Sequence, residues 1–271
     1  MDKSARRFLD ADGRVLVLSN QEKDSLLYNT SIYYETNNLN AAKAEIVDAP
    51  GIKNTKALHF IIKEPNVIKD SIKKSRIQIH FGGRPGFKSF VSELDIYLPL
   101  SMAILDDYPK EINWLTVQEL WNDPVNKKGT TFRIRIGLQK SKKGHLHFVV
   151  STQDYHDGKF WPIAKFDNDN VLIPFGRWFT LRTEIKEGNS ETGQISLAVK
   201  ENNEKEMKSL YDETTQTMAS VFCTGNFDPH GFTSLHLMKL YTSSQLTKWM
   251  HNRGLPLEMY FTNWKFSGVT Y

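Results

Sequence analysis

Lys239-x-Tyr241, in the run Leu235–Tyr241 (LHLMKLY), is the pair in this chain best suited to move a proton. In an extended strand alternate side chains share a face, so the ammonium and the phenol project to the same side. An ammonium held beside a phenol stabilises the phenolate and makes a usable general base. The alternative is a surface lysine next to a half-buried strand tyrosine, because structural ion networks also perturb such pairs. Other runs carry polar groups in the same register. Arg76, Gln78 and His80 alternate with Ile77 and Ile79, and Arg133 and Arg135 alternate with Ile134 and Ile136. Glu93, Asp95 and Tyr97 alternate with Leu94, Ile96 and Leu98. Arginine offers bidentate geometry to a carboxylate. Arg133 and Arg135 are therefore read as facing a ligand, the alternative being a solvated stripe paired with Glu119 or Glu184.

The elements that must position these groups are strands. Period-two runs recur at Leu58–Lys63, Arg76–Phe81, Phe90–Leu98, Trp114–Trp121, Phe132–Leu138 and His145–Val150. They continue at Trp178–Ile185, Gln194–Val199, Leu235–Tyr241 and Leu257–Phe266. Turn-rich pieces bound them: Gly82-Gly83-Arg84-Pro85-Gly86, Asn122-Asp123-Pro124, Asp167-Asn168-Asp169-Asn170 and Glu187-Gly188-Asn189. Such a series predicts an all-β sandwich or jelly roll of two curved antiparallel sheets. Helical signal is confined to Gln21–Tyr28 and Ser244–His251, the latter with Gly254 as a stop. No internal repeat or linker interrupts the chain, which predicts one domain over residues 1–271 with the first 50 wrapping its edge. The non-core strand positions are rich in Arg, Gln, His, Trp and Tyr. A solvated outer face is more often Thr, Lys and Ser, so this pattern suits a concave sheet lined for a ligand.

Composition narrows the function classes. Of 271 residues, 39% are hydrophobic and 24% charged, as in a globular domain that buries a full core. The net charge of +4 fits an acidic ligand, but no Lys/Arg block forms a nucleic-acid footprint. No apolar run has the length of a membrane span, so neither nucleic acid nor membrane is an expected partner. Cys223 is the only cysteine, which excludes a disulfide framework and a cysteine-based zinc site. Met1–Asp10 lacks the apolar segment of a signal peptide, as a chain already trimmed of its signal would.

Several motifs point elsewhere. His145 and His147 have the i, i+2 spacing of metal ligands, yet no third ligand stands near them in sequence, so no metal is assigned. Asp154, Asp157, Asp167 and Asp169 suit a structural Ca²⁺, though aspartates of this kind are commoner as turn formers. No Gly-x-Ser-x-Gly elbow and no phosphate-cradling glycine loop is present. The paired carboxylates of a sandwich glycosidase are missing as a motif, although Glu93 and Asp95 share a face and keep a hydrolase open.

The ordered series over roughly residues 45–268 resembles the heparin-lyase-like and glucuronan-lyase-like polysaccharide lyases, which have a concanavalin A-like jelly roll. Ile46–Phe60 is similar to the family's first core strand, and Arg76-Ile77-Gln78 takes the place of an Arg-x-Glu strand. Leu94–Pro99 (LDIYLP) resembles the strand ending in Tyr-Leu-Pro, and Thr116-Val117-Gln118 the strand that supplies a catalytic-site glutamine. Pro174–Trp178 with Gly193–Val199 resembles a Gly-x-Trp strand pair. Met238–Tyr241 and Glu258–Phe266 resemble the Lys/Tyr strand and the closing strand. The chain departs from the family at Gln78, which replaces a carboxylate, and at Leu120, where several relatives carry a histidine. His80 is the residue that could fill that space from a neighbouring strand.

The resemblance implies β-elimination on a uronate-containing polysaccharide. That reaction requires neutralisation of the uronate carboxylate, a base for the C5 proton and an acid for the leaving oxygen. The catalytic candidates are Tyr241, Lys239, Gln118 and His80; the substrate-binding candidates are Arg133, Arg135, Arg76, Gln78, Trp114 and Tyr97. The partner expected is an acidic polysaccharide bound by a monomer that requires no cofactor. The resemblance also implies a secreted or periplasmic setting. The competing reading is a lectin-like module in which Trp114, Trp121, Tyr97 and Trp161 stack on a glycan without cleaving it. A purely structural sandwich comes third.

Overall fold

The computed structural model describes residues 6–9, 15–18, 31–36, 38, 40–68, 71–122, 131–223 and 229–271. Its strands begin with β1 (Arg6–Leu9), β2 (Val15–Leu18), β3 (Ser31–Tyr34), β4 (Ala42–Asp48), β5 (Lys56–Ile62), β6 (Asn66–Ile68) and β7 (Ser71–Lys73). They continue with β8 (Ser75–Tyr97), β9 (Ile112–Asn122), β10 (Thr131–Lys140), β11 (His147–His156) and β12 (Lys159–Asn168). The series closes with β13 (Trp178–Lys186), β14 (Gln194–Glu201), β15 (Lys208–Thr214), β16 (Phe232–Thr242) and β17 (Leu257–Thr270). The helices are a 3₁₀ turn at Leu100–Asp107, α1 (Ser220–Cys223) and α2 (Ser244–His251). α2 is the expected helix: Ser243 caps it by accepting from the Leu246 amide, and Gly254 follows with φ 69°. The expected helix at Gln21–Tyr28 lies outside the described residues.

β8 builds the sandwich by belonging to two sheets. Residues 75–82 pair with β16 and β3, whereas residues 87–97 pair with β13 and β17. The first sheet runs β12-β11-β10-β9-β16-β8-β3, and the second runs β15-β14-β13-β8-β17-β5-β4, all antiparallel. The sequence predicts a turn at Gly82–Gly86; the chain instead stays extended through these residues and changes partners there. Glycine and proline are the residues that let a strand bend without a ladder bond to break.

The two sheets close on one core. Ile77, Ile79 and Phe81 of β8, Leu115 and Leu120 of β9, and Ile134 and Ile136 of β10 are buried against Phe179, Leu181 and Ile185 of β13. Phe148 of β11 meets Phe179 edge-on across the sandwich at 6.0 Å. The fold is therefore an all-β concanavalin A-like jelly roll of two antiparallel sheets.

Register also shows what the alternating pattern hides. β9 carries an extra residue, because Gly137 of β10 faces Thr116 while the adjacent Ile136 faces Gln118. This bulge at Val117 flips the phase of the strand. Before it, Trp114 and Thr116 point outward; after it, Glu119 and Trp121 do. Gln118 is thereby turned into the core, where its Oε1 accepts from Thr183 Oγ1 of the opposite sheet at 2.8 Å. The placement of Gln118 in the cleft is corrected on this ground.

Tyr97 is corrected too. It lies on the outer face of the second sheet, packed on Trp178 at 5.4 Å and Tyr260 at 5.8 Å. Glu93 and Asp95 share that remote face, held by Arg182, Thr180 and Asn263.

Candidate functional site

The outer face of the first sheet gathers polar side chains from several adjacent strands. Arg76, Gln78 and His80 come from β8; Ser234, His236, Lys239 and Tyr241 from β16; Trp114, Thr116, Glu119 and Trp121 from β9. Arg133 and Arg135 come from β10, opposite Gln153 and Ser151 of β11. A second register shift, on β16 between His236 and Tyr241, puts His236 on the same face as Lys239 despite their odd spacing.

The floor of this cleft is an ion pair. Lys239 Nζ donates to Glu119 Oε2, and both side chains are buried, with 0% and 2% of their surface exposed. Glu119 Oε1 lies 3.5 Å from Arg133 Nη1. Burial alone would raise Glu119, but the charges of Lys239 and Arg133 hold it below the usual carboxylate range. Burial pushes Lys239 down to about 8, with Glu119 opposing that fall. Glu119 faces several cations, whereas Lys239 has one anion and the further cations Arg76 and Arg133 nearby, so the carboxylate is the more firmly charged partner.

Around this floor stand the groups a ligand would meet. Tyr241 is half-buried, its ring 4.4 Å from Trp114 and 4.9 Å from Lys239 Nζ. The Arg76 guanidinium covers the Tyr241 ring at 5.1 Å and the Tyr33 ring at 4.4 Å, and pairs with Glu35 at 2.6 Å. Arg133 donates to Gln153 through Nε at 3.0 Å and lies over Phe160 at 4.0 Å. Arg135 is different. It is half-buried and forms no ion pair with a described residue; it donates to the Asn113 carbonyl at 3.5 Å. Burial first, and then the charge of Arg133, push its pKa down.

His80 lies on this face as well. Its Nδ1 is 3.0 Å from His236 Nε2 and 3.2 Å from Ser234 Oγ. Burial and the Lys239 charge push His236 down to about 3, so it stays neutral at ordinary pH. Several buried polar atoms of the face have no hydrogen-bond partner among the described residues: Gln78 Oε1, Thr116 Oγ1, Ser151 Oγ and His236 Nδ1. Buried polar atoms are rarely left so, and their clustering suits a hydroxyl-rich ligand.

Of the sequence candidates, the cleft brings together Tyr241, Lys239, His80, Arg133, Arg135, Arg76, Gln78 and Trp114, and it leaves out Gln118 and Tyr97. Trp161 stands opposite Asp154 and stacks on His156 at 5.5 Å, so its neighbour Phe160 is the β12 ring that reaches Arg133. Glu119 entered the sequence reading only as a partner for Arg133 and Arg135, and His236 and Gln153 did not enter it as candidates. The bulges conceal the facing of Glu119 and His236, and Gln153 lies beyond the end of the alternating run His145–Val150.

Among the described residues no group of three or more His, Cys, Asp or Glu could hold a metal. His145 pairs with Asp106 at 3.1 Å and His147 with Asp167 at 3.4 Å. Of the proposed Ca²⁺ aspartates, Asp154 is buried and accepts from the Ser220 amide, while Asp157 and Gly158 form the positive-φ turn of the β11–β12 hairpin.

No family model and no curated protein matches the sequence. Solved structures do share the fold. The PL-14 alginate lyase from Aplysia kurodai is 10% identical with a TM-score of 0.54, over 88% of this chain and 90% of that one. The endo-β-1,4-glucuronan lyase from the fungus Trichoderma reesei is 11% identical with a TM-score of 0.52, over 90% of this chain and 96% of that one. At these identities the likeness is one of fold: a jelly roll that polysaccharide lyases also use.

Proposed function

We propose that this chain binds an acidic, uronate-containing polysaccharide across the cleft of its first sheet and cleaves it by β-elimination. The observation that carries the proposal is Arg135: a half-buried guanidinium with no carboxylate partner among the described residues, on the same face as Tyr241 and Lys239. A desolvated cation of this kind is stabilised by an incoming anion, and its planar donors match a carboxylate. Bound there, a uronate carboxylate loses charge repulsion against the enolate-like electron density that develops when C5 is deprotonated.

Tyr241 is the group placed to handle the proton. As the phenolate, its oxygen takes the C5 proton, the C5–H electron pair becomes the C4–C5 double bond, and the C4–O bond breaks. The departing oxygen then recovers the proton from Tyr241. Arg76 and Lys239 stand 5.1 and 4.9 Å from its ring. No cofactor enters this scheme, and the polymeric substrate fits a secreted or periplasmic setting.

A panel of heparin, glucuronan, alginate and ulvan followed by ultraviolet absorbance tests the reading, since elimination creates a conjugated unsaturated uronide. Tyr241→Phe is expected to lower turnover at least about 100-fold while retention on an affinity gel persists. Full activity in that variant places the base elsewhere. A lectin-like module is the second reading, favoured by the engagement of Lys239 with Glu119 in place of a direct Lys–Tyr couple. Retention of a glycan by the wild-type protein with no unsaturated product decides for it.

A further inference from the structure

Glu119 lies beneath the catalytic candidates, and two cations of the cleft, Lys239 and Arg133, are held on its carboxylate. From β9 it reaches Lys239 on one side through Oε2 and Arg133 on the other through Oε1, and in register it stands opposite both His236 and Arg135. In the core behind it Gln118 Oε1 accepts from Thr183 Oγ1, so the neighbouring amide faces away from the carboxylate.

We propose that Glu119 is the positioning residue of this cleft: its carboxylate fixes the Lys239 ammonium beside Tyr241 and keeps it protonated, while tethering Arg133 so that Arg135 is the cation left to meet a ligand carboxylate. The groups facing Lys239 are Glu119 from β9, Arg133 and Arg135 from β10, Arg76 and His80 from β8, and His236 and Tyr241 on its own strand. Glu119 is the only carboxylate among them. Without it, a fully buried ammonium sits among like charges, and both burial and repulsion favour the neutral amine. The consequence for turnover rests on the lyase reading above; the effect on the proton affinity of Lys239 does not.

The test is a pH titration by NMR of protein carrying ¹³C at the lysine ε-carbons, with Lys239→Met used to assign the signal. The wild-type midpoint is compared with those of Glu119→Gln and Glu119→Asp. The expected result is a midpoint about one pH unit or more lower in Glu119→Gln. An unchanged midpoint there overturns the proposal. Should Glu119→Gln not fold, Glu119→Asp carries the test. Retracting the carboxylate by one methylene lowers the midpoint, and a midpoint at or above that of wild type overturns the assignment. If the chain cleaves a uronan, the limb of the pH–rate profile belonging to Lys239 moves with the NMR midpoint. If wild type cleaves none of the polysaccharides while the midpoint still moves, the lyase reading falls and the role of Glu119 stands. Cleavage with an unmoved midpoint does the reverse.

Discussion

Gln118 and Glu119 are neighbours in sequence on opposite faces of one sheet, and that difference decides which of them can act. Gln118 is fully buried between the sheets with Thr183 as the partner of its Oε1, while its Nε2 has none among the described residues. Its role is to satisfy a hydroxyl in the core. Gln118→Leu should therefore cost about 1 kcal/mol or somewhat more in urea unfolding, because Thr183 Oγ1 loses its acceptor. Adding Thr183→Val should recover much of that loss, since both polar groups are then gone. Retention on a uronate affinity gel should be unaffected in either variant; a loss of retention at unchanged stability would return Gln118 to the cleft. At this scale the sequence was most informative where alternation was unbroken. Arg133 and Arg135, and Lys239 and Tyr241, share faces as their spacing implies. What spacing cannot show is which charge meets which: Lys239 reaches Glu119 from 120 residues away in sequence.

The bulge that turns Gln118 inward is a property of two strands, and Gly137 is its counterpart on β10. A Cβ at Gly137 would lie 2.6 Å from the Leu115 carbonyl oxygen and 3.2 Å from the Thr116 Cα, both backbone atoms that cannot swing aside. Gly137→Val should therefore destabilise the protein by about 1–3 kcal/mol, as overpacking of a tight site does. It should also weaken uronan binding, because the strand segment that aims Thr116, Glu119 and Trp121 must shift. Urea unfolding and affinity electrophoresis of the same variant check both, and a variant of wild-type stability contradicts the close approach. Bulges are the reason element-level reading succeeded only in part. A pattern of period two identifies β9 and β16 as strands but assigns the wrong face beyond each irregularity. β12 is absent from the period-two runs because its residues Lys159–Ile163 are exposed and include Pro162, leaving no buried stripe to detect. Edge strands with proline read that way. β8 was divided by its Gly/Pro run, although the fold uses that run as the corner between its sheets.

At the scale of the molecule the cleft and the core share their central strands, so the protonation of the site bears on the stability of the whole sandwich. β16 lies between β9 and β8 in the first sheet, and it carries His236 as well as Lys239. His236 is held near a pKa of about 3 in the folded chain by burial and the Lys239 charge, against 6.5 when unfolded. Between those values the unfolded chain binds the proton and the folded chain does not, so stability rises with pH and is lost as pH falls below 6.5. Glu119, whose folded pKa is also depressed, adds a loss in the same direction below its unfolded value of 4.5. Lys239 acts in a different window. Its folded value of about 8 lies below the unfolded 10.5, so its burial is a burden below pH 8 that is relieved as pH rises toward 10.5. Wild type should accordingly lose on the order of 3 kcal/mol between pH 6.5 and 4 through His236 alone. His236→Gln, which keeps a polar group but cannot take up a proton, should flatten that slope while unfolding near pH 7.5 changes less. Urea midpoints measured across this pH range decide the matter. Parallel curves for the two proteins would mean that His236 titrates alike in the folded and unfolded chains, and the acid lability of the fold would then lie with its carboxylates.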